Sequence, residues 1–219
     1  MSEVEPLSFE ARPGLQPRPA SGEGGERIAL PAPDMSGGLP LMGALWQRKS
    51  SRAFGNEALS TRLLGDLLWA ADGVNRSAGG GRTAPSPHGL NEIDIYVALP
   101  QGLYRYDTAH HRLDLKRAVD ARNLTGYRDF VGEAPLDLIY VANFSRMTAL
   151  APSQREMFSA VTAGAIAQNV YLYCASAGLG AVVRGWLNHR RLAEAMSLNE
   201  DEVPLLAQTV GFPVGTVTQ

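Results

Sequence analysis

Apolar residues recur at helical spacing at Leu41, Met42, Leu45 and Trp46, directly after Pro40, which predicts a short helix ending near Arg48 and the first element of the core. A second helix is expected after Ser60, whose hydroxyl suits an N-cap. Leu63, Leu64, Leu67, Leu68 and Ala71 form its buried face until Gly73 stops it. Residues 75–89 hold too much Gly and Pro for a helix or a central strand and are read as a long loop. Alternation at period two then takes over at Ile93, Ile95, Val97 and Leu99. It continues after Gly102 through Leu103 and Tyr104, and again around Leu113 and Leu115, as an antiparallel meander. Residues 118–134 are mixed and polar and give no element, with Tyr127 and Phe130 as candidate lid or pocket groups.

The run 136–144 is nearly continuous in apolar, β-branched and aromatic residues and predicts a central strand buried on both faces. Residues 157–178 carry no proline and read as one long helix, apolar most of the way round, that belongs in the monomer core or at a dimer face. Ala160, Ala163, Gly164 and Ala167 would allow a close helix approach, whereas Gln168 and Asn169 need polar partners. After Gly178 and Gly180 an extended segment covers 181–186, Asn188 caps a short helix to Met196, and a last strand covers 205–211. An antiparallel block of strands between helical blocks implies an α+β fold, a mainly antiparallel central sheet flanked by helices.

Ahead of the first helix the periodicity vanishes, because residues 1–39 are punctuated throughout by Pro and Gly. They are expected to form an extended or disordered arm, docking if at all through residues 28–33, with a single domain over 40–219. The chain has 219 residues, 45% hydrophobic and 19% charged, enough for one well-buried domain. A net charge of -2 provides no field to hold a polyanion, so nucleic acid is not an expected partner. No run is long and apolar enough for a membrane span, and the N-terminus lacks the pattern of a secretory signal, so a cytoplasmic location is expected. The single cysteine, Cys174, sits in the long apolar helix and reads as an inert buried thiol. His88, His110, His111 and His189 lack ligand-like spacing, so no metal site is expected.

The densest candidate chemistry is Arg48-Lys49-Ser50-Ser51-Arg52. Cations near a helix C-terminus are favoured by its dipole alone, and the same cluster can equally grip one phosphate-sized anion. Two further segments stand out: Pro85-Ser86-Pro87-His88 in the long loop, and Arg184-Gly185 at a strand end. His88 is open to a proton-donating or a positioning role, and Arg184 to a surface or interface role. No dinucleotide-binding, Walker, zinc-protease or nucleophile-elbow signature is present.

Taken in order, Arg-Lys-Ser-Ser-Arg-x-Phe, Gly-x-Asn-Arg with Arg-Thr-Ala-Pro-Ser, Gln-Asn-x-x-Leu-x-x-Ala-x-x-Gly-Leu-Gly with Val-Val-Arg-Gly, and Gln-Thr-Val-Gly-Phe-Pro resemble the FMN-dependent nitroreductase family. The likeness is greatest to short bacterial members related to azoline-forming dehydrogenases, and it spans residues 39–213. It implies a homodimer with FMN at the subunit interface, NADH or NADPH as electron donor, and a nitroaromatic or quinone-like acceptor. Other activities compatible with the resemblance are oxidation of a peptide azoline or small metabolite, and FMN binding without turnover.

Residue by residue, the resemblance implies that Arg48, Lys49, Ser50 and Arg52 hold the FMN phosphate and reach the ribityl chain and pyrimidine edge. Arg52 would face the N1 and O2 edge, where a cation favours the reduced cofactor. Pro85, Ser86, Pro87 and His88 would border the ring and ribityl oxygens, although this segment departs from the forms common in relatives. Val183, Arg184 and Gly185 would bring main chain to the flavin, with the amides of Arg184 and Gly185 aimed at N5 and O4. Relatives often carry a Lys or Arg after the last strand to complete the phosphate site. Residues 215–219 have none, which concentrates that task on Arg48 and its neighbours.

Overall fold

A computed structural model describes residues 26–76, 78–127 and 130–215. The first 25 residues of the expected arm, and the tail at 216–219, lie outside the described residues. In chain order the elements are β1 (Arg27–Ala29), α1 (Leu41–Gln47), α2 (Thr61–Asp72), β2 (Val74–Arg76), β3 (Gly81–Arg82), β4 (Ile93–Leu99), β5 (Gly102–Asp107) and β6 (Arg112–Arg117). They continue with β7 (Leu136–Asn143), α3 (Pro152–Ser176), β8 (Gly180–Arg184), α4 (His189–Met196) and β9 (Glu202–Gly211).

The seven-stranded sheet has the order β1-β6-β5-β4-β7-β9-β8, and every neighbouring pair is antiparallel. The fold is α+β, as the meander and the interleaved helices imply. Strand β7 is buried at every position because its two faces serve two cores. Leu136, Leu138, Tyr140 and Ala142 join the apolar faces of α2 and α3, whereas Ile139 and Val141 pack with Leu192 and Met196 of α4. Period-two alternation thus remains in force where both faces are apolar. A polar link crosses the larger core: Tyr140 Oη donates to Gln208 Oε1 at 2.5 Å, and Gln208 Nε2 donates to the carbonyl of Ala167 at 3.2 Å.

Ser60 caps α2 by accepting from Leu63 N at 3.2 Å. Gly73 ends the helix with a negative φ, and its function is steric, because a Cβ there would lie 2.3 Å from Trp69 Cδ1. At the end of α3, Gly178 takes a positive φ of 71°, and the next amide, of Leu179, returns to the carbonyl of Cys174 at 2.8 Å. Asn188 caps α4 through Arg191 N at 3.0 Å.

Several expectations need correction. Helix α1 is not a core element: only Ala44 is buried, while Leu41, Met42 and Trp46 are 63%, 76% and 90% exposed. It stops at Gln47, and Arg48 already has non-helical ψ, so no cation lies in its last turn. The long loop at 75–89 contains the hairpin β2–β3 and a 3-10 turn over Pro87–Gly89. Helix α3 begins at Pro152 rather than near 157, its polar first turns having concealed the start. Strand β9 extends back to Glu202. Pro204 is tolerated there beside an irregularity in the register opposite Tyr140 and Val141. Residues 27–29 of the expected arm form an edge strand paired with β6.

The hairpin β2–β3 is tied to α2 by Arg82 Nη1, which donates to Asp72 Oδ2 at 2.5 Å. Burial of Asp72 outweighs the opposing pull of Arg82 and raises its carboxyl to about 7, with Glu92 and Asp94 pushing the same way. The folded chain therefore holds this proton more tightly than the unfolded chain. The resulting stabilisation is full below the ordinary carboxylate value near 4 and is lost as the pH rises to about 7. Urea midpoints should accordingly show a loss of stability across that window that is larger in wild type than in Asp72→Asn. Parallel pH profiles for the two proteins would contradict this assignment.

Candidate functional site

The segment after α1 is fastened to the edge of the sheet. Ser51 N donates to the carbonyl of Ala181 at 2.9 Å, and Ser50 forms a parallel bridge with the same residue. Gly180 makes this approach feasible, because a Cβ there would lie 2.9 Å from Ser51 Cβ. Phe54 continues the attachment through a bridge to Pro213, and its ring lies 5.9 Å from that of Phe130.

Tyr171 of α3 joins the two segments from beneath. Its hydroxyl accepts from Val183 N at 2.9 Å and is hydrogen-bonded to Ser50 Oγ at 2.9 Å. The Arg48 guanidinium carbon sits 5.3 Å from the centre of the same ring, a cation–π distance. Beside them is a cavity of about 550 Å³, whose wall includes Trp46, Lys49, Ser51, Tyr171, Ala181 and Pro213. Cys174 also lines it, yet it is 1% exposed and burial pushes its thiol well above the usual range, in keeping with an inert side chain.

The structure thus brings Arg48, Lys49, Ser50 and Val183 into one neighbourhood. Arg52 is exposed and makes no ion pair among the described residues. The main chain of β8 refines the expectation for Arg184 and Gly185. Ala181 and Val183 direct their outward groups to Ser51 and Tyr171, so ladder alternation turns the Arg184 amide toward Ala207 of β9. Of the two amides expected to face the flavin, only that of Gly185 lies beyond the ladder; Gly185 is exposed.

The Arg184 side chain is neither a surface nor an interface charge. It is 9% exposed and donates to Asp137 Oδ1 at 2.8 Å, to Thr125 Oγ1 at 3.1 Å and to Thr209 Oγ1. Its guanidinium carbon lies 5.4 Å from the centre of the Phe130 ring. Asp137 is fully buried; its Oδ1 also accepts from Thr209 Oγ1 at 2.5 Å, while Oδ2 has no partner among the described residues. Arg184 therefore neutralises a charge deep in the sheet and holds Thr125 and Phe130 against the end of β8.

Pro85, Ser86, Pro87 and His88 do not line the cavity. Ser86 Oγ donates to buried Glu92 Oε2 at 2.6 Å and accepts from Asn91 N at 2.8 Å, so its proton is already committed. His88 is exposed and has a positive φ of 51°. No hydrogen bond among the described residues connects this loop to residues 48–52. Tyr171 was not singled out in the sequence, and its only signal there was a hydroxyl-bearing aromatic in an otherwise apolar helix. Among the described residues, no group of three or more His, Cys, Asp or Glu is arranged to hold a metal ion, and no helix is long and apolar enough to cross a membrane.

The Nitroreductase family model matches residues 45–212, which include this whole site. The chain belongs to the nitroreductase family. It is an oxidoreductase of that family. A Methanocaldococcus jannaschii protein named as a nitroreductase is 29% identical over 197 residues, covering 85% of this chain and 98% of that protein. A crystal structure of a Ralstonia eutropha protein named as a nitroreductase is 63% identical, with a TM-score of 0.84, and covers 95% of this chain and 100% of that one. The NADPH:FMN oxidoreductase of Vibrio harveyi, solved with NAD+, shares the fold at 19% identity and a TM-score of 0.60, covering 80% of this chain and 69% of its own.

Replacing Arg184 with Met should cost about 3–5 kcal/mol of folding stability, because it leaves the buried Asp137 carboxylate uncompensated. Adding Asp137→Leu should recover much of that loss in chemical denaturation. An Arg184→Met protein within about 1 kcal/mol of wild type would rule out this neutralising role.

Proposed function

We propose that the chain is an FMN-dependent NAD(P)H oxidoreductase. The observation that carries this reading is the attachment of the cationic 48–51 segment to the edge of β8 and to Tyr171, beside a cavity that Lys49, Ser51, Tyr171 and Ala181 line. The residues fit FMN chemically. Arg48 and Lys49 supply cations for a phosphate, Ser50 supplies a hydroxyl, and the exposed Gly185 lets main chain approach a planar ring without side-chain interference. When bound, FMN supplies a centre that takes hydride from NADH or NADPH and delivers electrons to a nitroaromatic or quinone-like acceptor.

The protein's own contribution is binding, orientation and charge. Arg48 and Ser50 anchor the phosphate end, and Tyr171 keeps that anchor in register with β8. Arg52, unpaired among the described residues, is the cation available to the pyrimidine edge. Arg184 acts from beneath, holding the end of β8 rigid through Asp137 and Thr125. The Vibrio harveyi oxidoreductase, named for its use of NADPH and FMN, supports the choice of donor and cofactor.

The same reading includes a homodimer. Leu41, Met42, Leu45 and Trp46 on α1, and Met157 and Val161 on α3, are exposed large apolar side chains on helices that pack against each other. A second copy of the chain would cover these exposed side chains. The loop at 85–88, absent from the cavity of its own chain, would then be available to the site of the partner subunit. A cytoplasmic location completes the proposal.

Purified protein mixed with FMN should retain flavin absorption that bleaches with NADH or NADPH and returns with a quinone or nitroaromatic. A protein that binds no FMN would overturn the reading. Arg48→Ala should weaken FMN binding by roughly 10–100-fold, and Arg52→Ala should chiefly lower the flavin potential and slow turnover. If neither variant changes affinity, potential or rate, the site assignment falls. Trp46→Glu combined with Met42→Glu should shift sedimentation from dimer to monomer; an unchanged sedimentation coefficient would place any dimer contact elsewhere.

A further inference from the structure

The hydroxyl of Tyr171 has two hydrogen-bond partners, and the fixed direction of one favours one direction for the other. The amide of Val183 can only donate, so at 2.9 Å the phenol oxygen accepts from it. The phenol proton then needs an acceptor, because Tyr171 is 7% exposed and a buried donor left unsatisfied is costly. Ser50 Oγ, at 2.9 Å, is the other polar atom bonded to it. Tyr171 therefore donates to Ser50, and the proton of Ser50 is left free. Ser50 is exposed and directly follows Arg48 and Lys49, so its free proton adds a third donor to two cations.

We infer that Tyr171 is a positioning residue for anion binding: it orients Ser50 as an obligate donor toward the phosphate of the cofactor. The relay runs from the Val183 amide through the Tyr171 hydroxyl to the Ser50 hydroxyl and then to a phosphate oxygen. Each link polarises the next, so the donor at its end is stronger than an isolated serine. The relay also couples the phosphate end of the site to the end of β8, because one hydroxyl holds both. This inference rests on the FMN reading above, and it adds a residue of α3 that acts through Ser50 rather than by touching the ligand.

Riboflavin, which has the same ring and ribityl chain without the phosphate, separates this role from a general structural one. Flavin fluorescence titrations on the full chain should show that Tyr171→Phe weakens FMN binding by about 10-fold or more while leaving riboflavin affinity nearly unchanged. Ser50→Ala, at an exposed position that does not threaten the fold, should reproduce the same selective loss. The double variant should lose no more than either single one, because both remove the same relay.

Equal losses of FMN and riboflavin in Tyr171→Phe would reduce the tyrosine to a packing role and overturn the inference. So would additive losses in the double variant, or an unchanged FMN preference in Ser50→Ala. A wild-type protein that binds riboflavin and FMN equally well would overturn the relay while leaving the flavin reading intact. A wild-type protein that binds neither would overturn the flavin reading itself.

Discussion

The buried pair of Arg184 and Asp137 is the constraint from which the site's geometry follows. Asp137 lies in the middle of the sheet with no exposure, and its neutralising cation comes from the last residue of β8, an edge strand. The pair carries a large desolvation cost, so it contributes little net stability compared with an apolar pair of the same volume. What it supplies is position. Thr209 on β9 and Thr125 on the segment before β7 share the same guanidinium, so three parts of the chain have one common anchor. The end of β8 consequently has a fixed direction, and Gly185 leaves it at a fixed place.

From that anchored strand the site grows outward by main-chain contacts. Ala181 receives the amide of Ser51, and Val183 gives its amide to Tyr171. The alternation of an antiparallel ladder decides which groups face outward, and it turns the Arg184 amide inward. The Arg184 side chain and the Gly185 main chain thus have separate tasks. Ser50 and Arg48, reached through Tyr171, complete the wall at the end where charge accumulates.

Elements with a clean period were legible in the sequence. Helix α2, the meander and β7 could be read because each pairs a regular apolar pattern with a clear stop. Helix α1 was legible as a helix but not as an exposed one, since periodicity identifies an apolar face and says nothing about what covers it. The start of α3 was concealed by Ser153, Gln154, Arg155 and Glu156, polar residues in first turns that are exposed or half-buried. The cationic segment at 48–52 was legible as candidate chemistry, and the absence of a cation in the last turn of α1 weakens the dipole explanation for it. Tyr171 and the burial of Arg184 were not legible, because both depend on partners brought together only by the fold: Ser50 and Val183 for one, Asp137 and Thr125 for the other.

We propose that the wall formed by Arg48, Lys49, Ser50 and the edge of β8 holds a flavin phosphate. A crystal structure determined with FMN present tests it most directly. Electron density for the phosphate is expected against the side chains of Arg48 and Ser50, with the ring extending toward Gly185. FMN found on another surface, or a phosphate with no contact to residues 48–50, would contradict it.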